Sequence, residues 1–242
     1  MPVWQVADYL SLGASPPPPF AILRFDVDYR EPHAVHLAEI ATQHGLRGSF
    51  YFRRRGDAFP LAAMRATQAL GHEVGYHYET LGACVGEWEC ARQQFLAHVA
   101  QLRAAGLDVR TVAAHGSAPR AATYRRNDDL LRRTPELLAQ ASLLGDAALH
   151  MDFARVYYVS DAGWRWHVYA RYTPETAGTP TTLHDWLMAR LAEERGLYIN
   201  IHPHQWFAGA WQARYFRVRN RIGRVVLGVG VPFGRSVKRR RG

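Results

Sequence analysis

Cysteine is scarce in this chain, with two among 242 residues. Cys84 and Cys90 lie six apart in a segment that reads as helix, a spacing that sends them to different faces, argues against a local disulfide and leaves both expected as free thiols. The N-terminus lacks a basic stretch followed by an apolar run, and no run of about 18 apolar residues occurs anywhere. Neither secretion nor membrane spanning is signalled, and a cytoplasmic protein is expected. Acid is missing from the end of the chain, since no Asp or Glu follows Glu194. The net charge of +9 is therefore unevenly spread: ten basic residues fall between Arg214 and Arg241, while residues 1–213 are close to neutral. A basic tail over residues 212–242 suggests an anionic partner, either a membrane surface or a phosphate group, or simply a solvated end. Its arginines alternate with Tyr215, Phe216, Val218, Ile222, Val225, Val226 and Leu227, a mixture compatible with an amphipathic helix at the inner membrane face. Nucleic acid is the weaker partner, because no recognised binding motif accompanies the charge.

What is present is 48% apolar, enough to bury a sizeable core in one domain. Ser15 and the prolines Pro16 to Pro19 make residues 1–19 a stiff lead-in, and a domain over residues 20–211 follows. There, short apolar and aromatic runs predict strands at 21–25, 48–52, 73–76, 111–114, 156–160, 165–169 and 198–201. Helices are predicted at 32–43, 60–70, 86–104 and 182–195, with Gly45, Gly71, Gly106 and Gly196 just past their last turns. The alternation implies a parallel sheet or barrel. The stretches 117–127 and 173–180 read as long loops able to border a site.

Sites in such folds form where strands end, and four predicted strands run into groups that bind metal or move protons. These are Asp26-Val27-Asp28, His77-Tyr78-Glu79, His115-Gly116-Ser117 and His202-Pro203-His204. In extended chain, Asp26 and Asp28 point to one face, so one carboxylate can hold a cation while the other reaches its water; alone, the pair also fits a turn or cap. Asp161 closes a fifth strand and is suited to orienting a histidine, binding sugar hydroxyls or forming a turn. Trp164 and Trp206 offer indole faces for sugar rings, and Trp166 reads as core. His72, which opens its strand, reads as an ordinary hydrogen-bonded residue.

The order of these motifs resembles the polysaccharide deacetylase, or NodB-homology, superfamily over residues 21–207. Gly71-His72-Glu73-Val74-Gly75-Tyr76-His77 is similar to the family's Gly-His-Glu-Ile-Gly-Asn-His segment, preceded by Phe25-Asp26-Val27-Asp28 and Gly48-Ser49-Phe50-Tyr51-Phe52. The resemblance implies a distorted (β/α) barrel of about seven parallel strands and hydrolysis of acetyl groups on a saccharide or glycan precursor with a divalent metal, zinc above all. It casts Asp26 as base, Asp28 and His77 as metal ligands and His202 as the acid. The family's second metal histidine falls on Leu81, so a third ligand is sought in His115 first, with Glu79, Asp161 and His204 as alternative ligands or supports. The family's Arg-Pro-Pro motif is not visible. Ser117, Trp164 and Trp206 are candidate substrate contacts. Two other readings are a metal-independent hydrolase of a cyclic amide and a carbohydrate-binding protein without catalysis.

Overall fold

A strand that is apolar on both sides of its pleat must be covered on both faces, and the central strands here are used that way. The computed structural model describes residues 1–13, 16–116, 126–169, 172, 178, 182–191, 193 and 195–206. Among them, nine strands join one sheet: β1 (Val3–Trp4), β2 (Ala21–Val27), β3 (Ser49–Phe52), β4 (Glu73–Tyr78), β5 (Thr111–Ala114), β6 (Gly145–Asp146), β7 (Val156–Ser160), β8 (His167–Val168) and β9 (Gly196–Ile201). Their order is β6-β5-β4-β3-β2-β9-β7-β8, with β1 beside β2. All pairs are parallel except β7 with β8. The curled sheet makes the half-barrel of a distorted (β/α) barrel. The helices are α1 (Val6–Ser11), α2 (Glu31–Gln43), α3 (Leu61–Ala69), α4 (Thr80–Ala83), α5 (Trp88–Ala104), α6 (Asp129–Arg133), α7 (Glu136–Gln140) and α8 (Leu183–Leu191).

The two-residue period of the strands sorts their side chains. Phe25 and Val27 of β2, Phe50 and Phe52 of β3, and Val74, Tyr76 and Tyr78 of β4 pack with Ala34 and Ala38 of α2, Met64 of α3 and Phe95 and Val99 of α5. Phe25 and Phe50 stack at 4.1 Å, and burial of each such ring contributes about 1.5–3 kcal/mol. The alternate residues belong to the opposite face: Ile22, Tyr51, Ala113 and Tyr198 cluster there with Val6, Tyr9 and Phe20. Asp26, His77 and Asn200 share that parity, so the site residues are carried on the inner face by the same pattern that builds the core. Gly75 is required between β3 and β5, since a methyl group there would come within 2.5 Å of the Tyr51 ring.

Four expectations change. Residues 3–11, read as a lead-in, are part of the fold: β1 pairs with β2, and Val6 and Ala7 are fully buried. The strand expected at 165–169 is two residues long and runs antiparallel to β7. Gly45, Gly71 and Gly106 take φ of 67, 85 and 83° past α2, α3 and α5, whereas Gly196 opens β9. Finally, Cys84 and Cys90 are joined by a disulfide. The segment between α4 and α5 is not helical: Val85 and Gly86 take φ of 53 and 86° and reverse the chain, bringing the two Cα atoms to 6.0 Å.

No helix among the described residues is long and apolar enough to cross a membrane. Met1–His204 is one compact unit; Gln205 and Trp206 are the described part of a second, Gln205–Gly242. The basic tail over residues 212–242 lies outside the described residues.

Candidate functional site

Asp28 follows β2, His77 lies within β4 and His115 follows β5. The three offer ligand atoms that all lie within 4.8 Å of one another. Asp28 Oδ1 is 3.4 Å from His77 Nε2 and 3.5 Å from His115 Nε2. The far side of each ring is engaged. His77 Nδ1 donates to the Ala113 carbonyl at 3.0 Å, a bond that in a neutral imidazole places the lone pair on Nε2. His115 Nδ1 is 3.4 Å from Glu79 Oε2, itself 2.6 Å from Arg53 Nη2. Asn127 Nδ2 fixes the His115 carbonyl at 2.9 Å, and its Oδ1 accepts the Gly82 N–H.

Asp28 Oδ1 is buried without a hydrogen-bond partner. Burial alone would raise the Asp28 pKa, yet the neighbouring imidazoles of His77, His202 and His115 hold it well below the usual carboxylate range. A zinc ion in tetrahedral coordination with bonds of about 2.1 Å separates its donors by about 3.4 Å. That spacing, one carboxylate oxygen, two imidazole nitrogens with their outer sides held, and an otherwise orphaned oxygen together fit a divalent cation with an open position.

Beside this triad lies a second arrangement. Arg24, two residues before Asp26 on β2, donates from Nε to Asp26 Oδ1 at 2.7 Å and from Nη2 to Oδ2 at 2.9 Å. The register sets Asn200 opposite Arg24, and Asn200 Nδ2 donates to Asp26 Oδ2 and to the Tyr158 hydroxyl, each at 3.1 Å. Burial would raise the Asp26 pKa; Arg24, His77 and His202 outweigh it and hold the group below its ordinary value. His202 Nδ1 meets Asp161 Oδ1 at 2.7 Å, and the His202 backbone N–H donates to the same carboxylate. Burial opposes protonation of His202, but the bond to Asp161 and the charges of Asp26, Asp161 and Asp28 lift it to about 9. His202 Nε2 stands 3.9 Å from Asp26 Oδ2. A cavity of about 370 Å³ opens here, lined by Asp26, His115 and His202 with Asn127, Tyr158, Ser160, Tyr169 and Asn200.

The structure thus brings together Asp26, Asp28, His77, His115, His202 and Asp161, with Glu79 behind His115. His204 lies 3.8 Å from Asp28 Oδ2; burial first, and then His202 and Arg30 against the pull of Asp28, lower its pKa to about 4. Trp164 reaches the edge of the His204 ring at 6.0 Å. Trp206 is exposed, and Ser117 lies outside the described residues. His72 is structural, accepting the Gly48 N–H at Nδ1. Arg24 and Asn200 were not read from the sequence. The signal was there: each is a polar residue inside an apolar strand, two positions before Asp26 or His202 and so on the same face.

The catalytic domain of a peptidoglycan N-acetylglucosamine deacetylase from Eubacterium rectale superposes with a TM-score of 0.50 at 11% identity over 84% of each chain. The chain has the polysaccharide deacetylase fold. A family 4 carbohydrate esterase from Streptomyces lividans, in complex with acetate, gives 0.48 at 15% identity over 86% of this chain and 91% of its own. A family 4 pseudoenzyme from Bacillus anthracis gives 0.47 at 16% over 84% and 60%, so the chain spans less than two thirds of that neighbour's length. No protein-family model and no curated protein matches the sequence. Within the deacetylase fold, the position where the resemblance implies a second histidine is Leu81, which is fully buried in the helix-side core; the nitrogen that faces Asp28 instead comes from His115, just past the end of the neighbouring strand β5.

Proposed function

We propose that the protein is a divalent-metal-dependent hydrolase, with zinc as the favoured ion, that removes an acetyl group from a saccharide or glycan precursor by cleaving an amide or ester bond. The observation that carries this reading is the convergence of His77 Nε2 and His115 Nε2 on the unpartnered Oδ1 of Asp28. The saccharide is supported by the deacetylase fold and by a cavity edged with amide and hydroxyl groups, among them Asn127, Ser160 and Tyr158.

An ion held by Asp28, His77 and His115 would acidify a water and polarise the acyl carbonyl. Asp26, kept anionic by Arg24, takes the proton from the attacking water. Arg24 and Asn200 hold its two oxygens, so the carboxylate is aimed before substrate arrives. His202 is protonated at neutral pH and donates that proton from Nε2 to the leaving nitrogen or oxygen, while Asp161 anchors Nδ1 and fixes the ring. The acid and the base are therefore two groups whose surroundings drive their protonation in opposite directions.

Elemental analysis of the purified protein beside a His77→Ala variant tests the reading. About one zinc per chain is expected in the wild type and none at this site in the variant, with release of acetate from acetylated saccharides lost on chelation and restored by zinc. Full turnover by metal-free protein overturns it.

A further inference from the structure

We infer that His204 is a positioning residue for the metal centre, holding the second oxygen of Asp28 so that the carboxylate presents only Oδ1 to the ion. The inference rests on the metal reading above. The two oxygens of Asp28 face different partners: Oδ1 lies between His77 and His115, and Oδ2 is 3.8 Å from His204 Nδ1. His204 is 6% exposed, and its Nδ1 is buried without a hydrogen-bond partner. The ring is held in place, stacked on Tyr29 at 4.1 Å and met edge-on by Trp164 at 6.0 Å and His202 at 5.8 Å. Trp164 gets there through two successive left-handed residues, Gly163 at φ 83° and itself at φ 71°; the second is a conformation that a bulky residue adopts only under constraint.

His204 is not itself a ligand, because the atoms lying within 4.8 Å of one another are those of Asp28, His77 and His115. Its Nδ1 faces the outer oxygen of the carboxylate at 3.8 Å, beyond hydrogen-bond length. A carboxylate free to swing binds a cation through both oxygens and fills the position that water and substrate need; one whose outer oxygen accepts a hydrogen bond stays monodentate. Closing the contact to hydrogen-bond length takes a movement of about 0.8 Å.

The test uses the full chain and two substitutions. The amide nitrogen of His204→Asn falls near Nδ1, while that of His204→Gln falls one methylene farther out. Zinc affinity is measured by competition with a chromogenic chelator, and the visible spectrum of cobalt-loaded protein reports coordination number. Expected are roughly 10–100-fold weaker zinc binding for His204→Gln, weakened cobalt bands as a further ligand atom enters, and return of both toward wild type in His204→Asn. Wild-type affinity and spectrum in His204→Gln overturn the positioning role. If His77→Ala binds zinc as tightly as the wild type, the metal reading falls and this inference falls with it; if only His77→Ala loses zinc, the metal reading stands and His204 has no part in it.

Discussion

At the amino ends of β3, β4 and β5 a carboxylate is buried with both oxygens hydrogen-bonded, whereas at the carboxyl ends of β2, β4 and β5 another is half-buried with one enclosed oxygen left without a partner. Glu73 Oε2 accepts the Ser49 hydroxyl at 2.5 Å and the Ala7 N–H at 3.0 Å, and Oε1 accepts the Thr111 hydroxyl. Ser49 Oγ in turn accepts the Val6 N–H at 2.7 Å, so the strands cap the first two amides of α1. Burial raises the Glu73 pKa despite these bonds. Asp28, by contrast, keeps an unpartnered Oδ1 facing two imidazole nitrogens and is driven to the anionic form. The large majority of buried polar side-chain atoms in native proteins are paired. A saturated carboxylate therefore marks structure, and an orphaned one ringed by metal-binding nitrogens marks the place of a ligand.

Replacing the two carboxylates in turn is the strongest way to break this contrast. Asp28→Ala is expected to reduce turnover roughly 10³-fold or more, since a bound divalent ion would contribute several kcal/mol to the transition state, and to abolish the rise in melting temperature on zinc addition. Glu73→Ala is expected to do the reverse. It leaves the Ala7 amide and the Ser49 and Thr111 hydroxyls without their acceptor, costs about 3 kcal/mol and lowers the melting temperature by about 6–12 °C, yet it preserves the zinc-induced increment. Equal zinc increments in both variants would erase the distinction between the two ends.

A smaller effect separates orientation from charge within the upper site. His202 is protonated up to about pH 9, so activity is expected to fall as pH rises through that value. Asp161→Asn keeps an oxygen to hold Nδ1 but removes the negative charge; the alkaline limb then moves from about 9 toward the ordinary histidine value of 6.5. The same sign holds for stability: with the folded value raised, the contribution of charged His202 is complete below about 6.5 and is lost as pH passes 9. A pH–rate profile of the variant with an unmoved alkaline limb removes Asp161 from this role.

Much of the fold was legible because burial on both faces writes apolar runs. Residues 111–114 and 156–160 are strands with the expected limits, and the others differ mainly at their ends. The site was legible where a strand ended in chemistry, as at Asp28, His77 and His115. It was harder to read where the chemistry came before the end. Arg24 sits among Ala21, Ile22, Leu23 and Phe25; its parity with Asp26 can be read from the strand, but only the pairing register shows that it lies opposite Asn200. β1 and α1 are two and six residues long, too short for a period to declare itself; β1 holds by pairing with β2, and α1 through contacts with Ser49 and Glu73 that are 43 and 66 residues away in sequence.

The cysteines mark the limit of reading by spacing, since an assumed helix hid a reversal, and they supply the smallest expected effect. The bridge closes a loop with a sequence separation of six, and by the entropy of so short a loop it stabilises by about 2 kcal/mol. Reduction is expected to lower the melting temperature by about 4–8 °C and to leave zinc affinity unchanged within about twofold. One link runs from the disulfide toward the candidate metal site through α4, whose Gly82 amide bonds to Asn127 and thence to the His115 carbonyl. Persistent disulfides belong to oxidising surroundings, which sets this bridge against the expectation of a cytoplasmic protein. Thiol titration of the denatured, unreduced protein decides between them: no reactive thiol is expected, and two would return Cys84 and Cys90 to the free state that the sequence suggested.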